Sequence, residues 1–150
     1  MTIIGSDNNK LLIGGKQYPL IMTPLEIEHY LWNLNHIQLE VDWSLLGENI
    51  YFKLRKRNVS ELSPMPTKFI NSNQEWTTKT YLIEKYSMLN PVNTPPIIVI
   101  NNFVQDGNHR LLAFKNNGIK SILAYTLVCD EIPKDFEIVK FSPPKNAIYE

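Results

Sequence analysis

The sequence predicts an α+β fold, a small mixed β-sheet flanked by short helices within one compact domain. Three observations predict it. The chain has 150 residues, 43% of them hydrophobic and 11% aromatic, which is enough for a single domain with its own core. Apolar residues recur with a period near 3.6 in some stretches and near 2 in others, so helices and strands are both encoded. Between residues 97 and 128 a strand, a short helix and a second strand follow one another. That spacing implies a crossover connection, right-handed by default.

Leu11-Leu12-Ile13 and Gln17-Tyr18-Pro19-Leu20-Ile21-Met22 flank Gly14-Gly15 and read as a hairpin, with Pro19 confining the second run to an edge. Thr23-Pro24-Leu25-Glu26 is a helix start: a capping threonine, proline at the first helical position and glutamate three residues after the cap. Leu25, Ile27, Tyr30, Leu31 and Leu34 supply the apolar stripe of a helix running to about His36. Ile37, Leu39, Val41 and Trp43 alternate with polar residues and predict a half-buried strand. Ser44 to Val59 reads as a helix whose Lys53, Arg55, Lys56 and Arg57 form a solvated face, with contact to nucleic acid or a triphosphate tail as the alternative. Ser63-Pro64-Met65-Pro66 is turn or extended chain. Trp76 to Leu89 has helical spacing, and Asn90 to Pro96 ends that helix.

From Ile97 onward the reading sharpens. Ile97-Ile98-Val99-Ile100 is a continuous apolar strand, Asn101-Asn102 a turn, and Phe103-Val104-Gln105 the return strand. Asp106-Gly107-Asn108-His109-Arg110 opens a helix ending at Asn117. Gly118 suits the left-handed position beyond it, and Ile119 the accompanying hydrophobic contact. Ser121 to Val128 is the next strand, and Phe136 to Val139 a last apolar stretch.

Composition narrows the function. Fifteen Lys plus Arg balance fifteen Asp plus Glu, so no overall field points to nucleic acid or membrane. A single cysteine, Cys129, excludes an internal disulfide or a Cys-rich zinc site. No basic segment leads into an apolar run at the start, and no stretch approaches the ~18 apolar residues of a spanning helix. A soluble, cytoplasmic protein is expected. Trp32, Trp43 and Trp76 read as core residues, one of them a candidate to stack on a base. His29 and His36 share a helix face without a partner that would complete a metal site.

The informative segment is Asp106 to Arg110. The first turn of a helix prefers acidic residues, because its amides are unpaired and its end is partially positive. Here that turn carries His109 and Arg110. An anion between the helix end and the guanidinium would account for this, and phosphate fits best: amides donate, Arg110 binds in bidentate fashion, and Gly107 lets the backbone approach. The plainer reading makes Asp106 or Asn108 a cap, Gly107 a tight turn, and Arg110 the partner of a surface carboxylate.

Pro95-Pro96-Ile97-Ile98-Val99-Ile100, then Asp106-Gly107-Asn108-His109-Arg110-Leu111-Leu112-Ala113, then Gly118-Ile119 and the strand from Ile122, resemble the ParB/sulfiredoxin superfamily. The resemblance runs from near Thr77 to Val128; residues 1–76 add a hairpin, a helix and a strand to what is expected to be one domain over 1–150. It implies a ParB/sulfiredoxin-like fold and a site for ATP or CTP with Mg2+, where Gly107, Asn108, His109 and Arg110 line the phosphates. His109 would bind phosphate or transfer a proton. Asp106 would hold magnesium through water, act as a base, or cap the turn. Asp-Gly-x-His-Arg is similar to the free-serine-kinase-like branch, implying a small phosphotransferase or NTPase acting on a small hydroxyl substrate. Glu26, Glu28, Glu40 and Asp42 are candidates for the carboxylate near the acceptor. Sulfiredoxins carry a cysteine where this chain has Asn108, which argues against sulfinic-acid reduction. The alternatives are a nucleotide-binding switch without turnover, and a ParB-like DNA-binding protein or nuclease of a mobile element or defence system. An anion-binding Arg110 carries its own consequence: Arg110→Ala would abolish nucleotide binding and leave the ligand-free protein as stable as before.

Overall fold

A computed structural model describes residues 9–34, 38–64, 68–69 and 94–141. They form a small mixed α/β domain. Its centre is a six-stranded sheet in the order β3 (Ile21–Met22), β5 (Tyr51–Asn58), β10 (Ser121–Val128), β8 (Ile97–Ile100), β9 (Phe103–Asp106), β6 (Ser63–Pro64). β10 runs antiparallel to β5 and parallel to β8, so the sheet is mixed. A hairpin of β1 (Lys10–Ile13) and β2 (Lys16–Pro19) stands beside it. A three-stranded sheet joins β4 (Gln38–Glu40), β11 (Val139–Phe141) and β7 (Lys68–Phe69).

Two helices among the described residues, α1 (Pro24–Leu34) and α2 (Asn108–Asn116), serve opposite faces of the central sheet. Alternation along the strands sorts the side chains. Ile98, Ile100, Tyr125, Leu127, Phe52 and Leu54 pack with Ile27, Tyr30 and Leu31 of α1. Ile97, Val99, Ile122 and Ala124 pack with Leu111 and Phe114 of α2 and with Val59 and Leu62. The unbroken Ile97-Ile98-Val99-Ile100 run follows from this: a strand covered on both faces has no solvent side to make polar.

Local chemistry sets the element ends. The Thr23 amide donates to Glu26 Oε1 at 2.8 Å and the Glu26 amide to Thr23 Oγ1 at 3.1 Å, a reciprocal capping box at the start of α1. Gly118 (φ 71°) closes α2, with its amide donating to Lys115 O and the Ile119 amide to Phe114 O. This is a Schellman cap, and Ile119 packs against the α2-side core.

The structure departs from the sequence reading in four places. The stretch Ser44–Val59 is not a helix: a short 3-10 turn at Trp43–Leu46, capped by Asp42, leads into strand β5. The reason is the alternation of Phe52 and Leu54, buried, with Lys53 and Arg55, exposed. Beyond Lys53, which pairs with Ile21 of β3, the exposed Arg55 and Lys56 put charge on the part of β5 that β3 leaves uncovered. The predicted strand 37–43 shrinks to β4. Leu25 lies off the buried stripe of α1, because Ile27, Tyr30, Leu31 and Leu34 already complete the i, i+3, i+4, i+7 pattern. Trp32 is 56% exposed and not a core residue. The expected helix over 76–89, together with Trp76 and His36, lies outside the described residues.

No described helix is long and apolar enough to cross a membrane.

Candidate functional site at the start of α2

The segment singled out by sequence sits where β9 ends, α2 begins and the chain enters β8. Asp106 is the last residue of β9, paired with Ile98. Gly107 turns the chain into α2 with φ 105° and ψ 22°, a left-handed conformation. A Cβ on Gly107 would lie 2.3 Å from Ile97 Cγ2 and 2.8 Å from Ile97 Cβ. Glycine is therefore demanded twice, by its backbone angle and by its approach to strand β8.

Asp106 and Arg110 are brought together. The guanidinium donates from one nitrogen to Asp106 Oδ2 at 3.0 Å and from the other to the Pro95 carbonyl at 2.6 Å. Asp106 is fully buried and Arg110 is 2% exposed. A buried carboxylate and a buried guanidinium four residues apart neutralise each other, and removing either one would strand the other's charge in the interior. Arg110 thus ties the first turn of α2 to the end of β9 and to Pro95, two residues before β8.

This arrangement differs from an exposed guanidinium reaching outward to phosphate. The difference reverses the stability consequence drawn from the sequence: Arg110→Ala is expected to destabilise the ligand-free protein. The geometry gives Asp106 a role outside those three, as internal counter-ion to Arg110. A carboxylate with no accessible surface and a cation 3.0 Å away is poorly placed as a base or as a ligand for hydrated magnesium. Roles assigned to the Asn108 and His109 side chains lie outside what is described; the backbone of both belongs to the first turn of α2.

Tyrosines, which the sequence reading passed over, complete the surroundings. Tyr30 donates to the Pro96 carbonyl at 2.8 Å and Tyr125 to the Pro19 carbonyl at 2.7 Å. Tyr30 meets Tyr18 and Tyr125 edge to face, with ring centres 6.2 and 5.5 Å away. Burial raises the Tyr30 hydroxyl well above the usual tyrosine range, with the Arg110 cation opposing the shift. Burial likewise raises Tyr18 against the same cation. The carbonyls of Pro95 and Pro96, ahead of the first ladder residue of β8, accept from the arginine and the tyrosine. One feature of the sequence did point here. Tyr30 falls on the buried stripe of α1, and a buried phenol needs an acceptor.

What the α2 start offers to a ligand is backbone. The N-cap residue, Gly107, supplies no side-chain cap, and the first turn holds no acidic residue. Its leading amides are the donors that an anion would use.

Comparison with protein-family models, with curated proteins and with solved structures finds no match for this chain.

Other candidates stand apart from α2. Glu26 belongs to the capping box, and Asp42 caps the 3-10 turn by accepting from the Ser44 amide. Glu28 accepts from Trp43 Nε1 at 2.6 Å, and Glu40 is exposed at the end of β4. No hydrogen bond or ion pair described here joins any of them to the Asp106–Arg110 segment. Cys129 follows β10, and burial raises its thiol, with Asp130 adding to the shift. Among the described residues no three His, Cys, Asp or Glu side chains cluster as a metal site would require.

Proposed function

We propose that this protein binds a nucleotide, ATP or CTP, through its phosphates at the N-terminus of α2, as a binding module without turnover. One observation carries the reading: the helix opens from a left-handed glycine with neither a side-chain cap nor a first-turn acid. Amides left in this state at a strand-to-helix junction suit phosphate, and they do so through main-chain donors and the helix dipole. The Asp106–Arg110 pair supports the site from beneath by fixing the turn that presents those amides. The resemblance to the ParB/sulfiredoxin superfamily selects nucleotide over other phosphorylated ligands. Burial of Asp106 and Arg110 favours binding over phosphoryl transfer, because neither is placed to meet a reacting group.

Calorimetry and thermal unfolding with ATP and CTP, each with and without Mg2+, test the reading. One nucleotide is expected to bind saturably, adding about 2.7 kcal/mol of stability at one hundred times its dissociation constant. Asn108→Asp supplies the decisive control, since it puts a fixed negative charge in the first turn. It is expected to stabilise the ligand-free protein by about 0.3–1 kcal/mol and to weaken nucleotide binding about tenfold or more. Nucleotide affinity unchanged by Asn108→Asp, or no binding by either nucleotide, overturns the proposal. Steady release of inorganic phosphate from the complex would replace the binding module with an enzyme.

A further inference from the structure

The outer face of α1 sets two exposed apolar side chains on one helix face. Leu25 is 63% exposed and Trp32 56% exposed, and with Glu28 and His29 they follow the i, i+3, i+4, i+7 spacing of one helix face. Two large apolar side chains held in water on a helix whose opposite face is already committed to the core need a reason. Leu25 stands as a ridge between three hollows. One of about 250 Å3 is bounded by Glu28, His29, Trp32 and Gln38. Another, of about 470 Å3, lies toward Met22 and Glu26, and a third, of about 370 Å3, toward Trp43 and Glu48.

Each hollow carries one carboxylate, and no lysine or arginine lines any of them. The charge pattern extends through the sequence. Residues 17–52 contain Glu26, Glu28, Glu40, Asp42 and Glu48 but no Lys or Arg, although the whole chain is balanced. Exposed cations resume only at Lys53, Arg55 and Lys56 on β5. The last turn of α1 has no basic residue to offset the negative end of its dipole. Trp43 holds Glu28 in place beside the ridge. The surface is thus apolar at its centre and negative at its rim, the layout of a protein interface with an anionic edge.

We propose that this face docks a cationic amphipathic segment of a partner protein, with apolar side chains seated around Leu25 and Trp32 and Lys or Arg over Glu26, Glu28 and Glu48. Helix-in-groove recognition supplies the apolar part. The exposed indole of Trp32 adds a face on which a guanidinium can stack. The inference does not depend on nucleotide binding, since it concerns a different helix on the opposite side of the sheet.

The test uses the full chain and two synthetic amphipathic helical peptides with the same leucine pattern, one completed with lysine and the other with glutamate. Fluorescence anisotropy should show saturable binding of the Leu/Lys peptide, with the Leu/Glu peptide about tenfold or more weaker. Leu25→Ser and Trp32→Ala, each exposed and each made separately, should weaken the Leu/Lys complex about tenfold while leaving the far-UV circular dichroism and melting temperature unchanged. Glu48→Lys should weaken it too, by less at high salt. Equal affinity for the two peptides, unchanged affinity in both apolar variants, or no binding overturns the proposal. So does sedimentation showing that the protein self-associates through this face in a manner that Trp32→Ala abolishes, because the occupant would then be a second copy.

Discussion

The two helices start in opposite ways. α1 closes its own N-terminus: Thr23 and Glu26 exchange hydrogen bonds, and proline at the first helical position has no amide to satisfy. α2 starts from a left-handed glycine with no side-chain cap and no acid in its first turn. Their bodies are opposed as well. α1 carries an unburied apolar ridge ringed by carboxylates, whereas α2 has its first-turn charge drawn inside and neutralised. The difference teaches where a ligand can act on each. α1 has its Thr23, Glu26 and Ile27 amides already bonded at its start and a side-chain surface to share. α2 has no exposed guanidinium in its first turn but a row of amides.

The largest expected effect tests the internal pair. Arg110→Ala should cost about 3–5 kcal/mol by leaving Asp106 buried without its cation. The double change Asp106→Leu with Arg110→Met should recover most of that loss, as apolar replacements of buried ion pairs do. Urea midpoints measure both. If Arg110→Ala unfolds at the wild-type midpoint, the pair is not a brace, and the contrast between the helices loses its basis.

Gly107→Ala should come next. A left-handed alanine costs roughly 1–2 kcal/mol and the clash with Ile97 a further ~1–3 kcal/mol, read from the same midpoints. A change below about 0.5 kcal/mol would mean that the turn relaxes freely and does not hold the α2 amides in place.

Alkaline pH probes the tyrosines packed on the α1 side of the sheet. Burial raises Tyr30, Tyr18 and Tyr125 above the unfolded tyrosine value. Between about pH 10 and their folded values the folded state keeps protons that the unfolded chain has lost. Stability is therefore complete below about pH 10 and falls above it, by up to about 1.4 kcal/mol per pH unit for each tyrosine. Tyr30→Phe should make the fall shallower between pH 10 and 11; an identical slope would remove Tyr30 from this role.

Thr23→Ala should cost about 1 kcal/mol by opening the capping box of α1. Trp32→Ala, exposed on the outer face, should change stability by no more than about 0.5 kcal/mol. A larger loss from Trp32→Ala would show that the ridge is structural and not held in reserve for a partner.

Much of the framework was legible in the residues. Thr23-Pro24-Leu25-Glu26 announced α1, Gly14-Gly15 a hairpin turn, and Gly118-Ile119 the end of α2, because caps and turns are made by neighbours along the chain. The run Ile97–Ile100 was legible as a buried strand for the same reason. β5 was misread because its alternation spans few residues and ends in four cations within five positions, a pattern that a helix face also accommodates. At the candidate site, the segment Asp106–Arg110 stood out by its residue types, but the direction of the Arg110 side chain did not. A guanidinium can point to solvent or to a carboxylate one turn away, and the sequence contains both possibilities.

The chain alone determined where helices and turns begin, which residues alternate, and that cationic residues occupy a first turn where acids are usual, since these depend on neighbours within a few positions. Tertiary structure alone decided that Arg110 is spent on Asp106 and Pro95, that Gly107 is pressed against Ile97, and that Leu25 and Trp32 face water. Those outcomes depend on which distant strands meet at each residue, and burial, which sets the cost of a charge or the reach of a side chain, exists only after they have met.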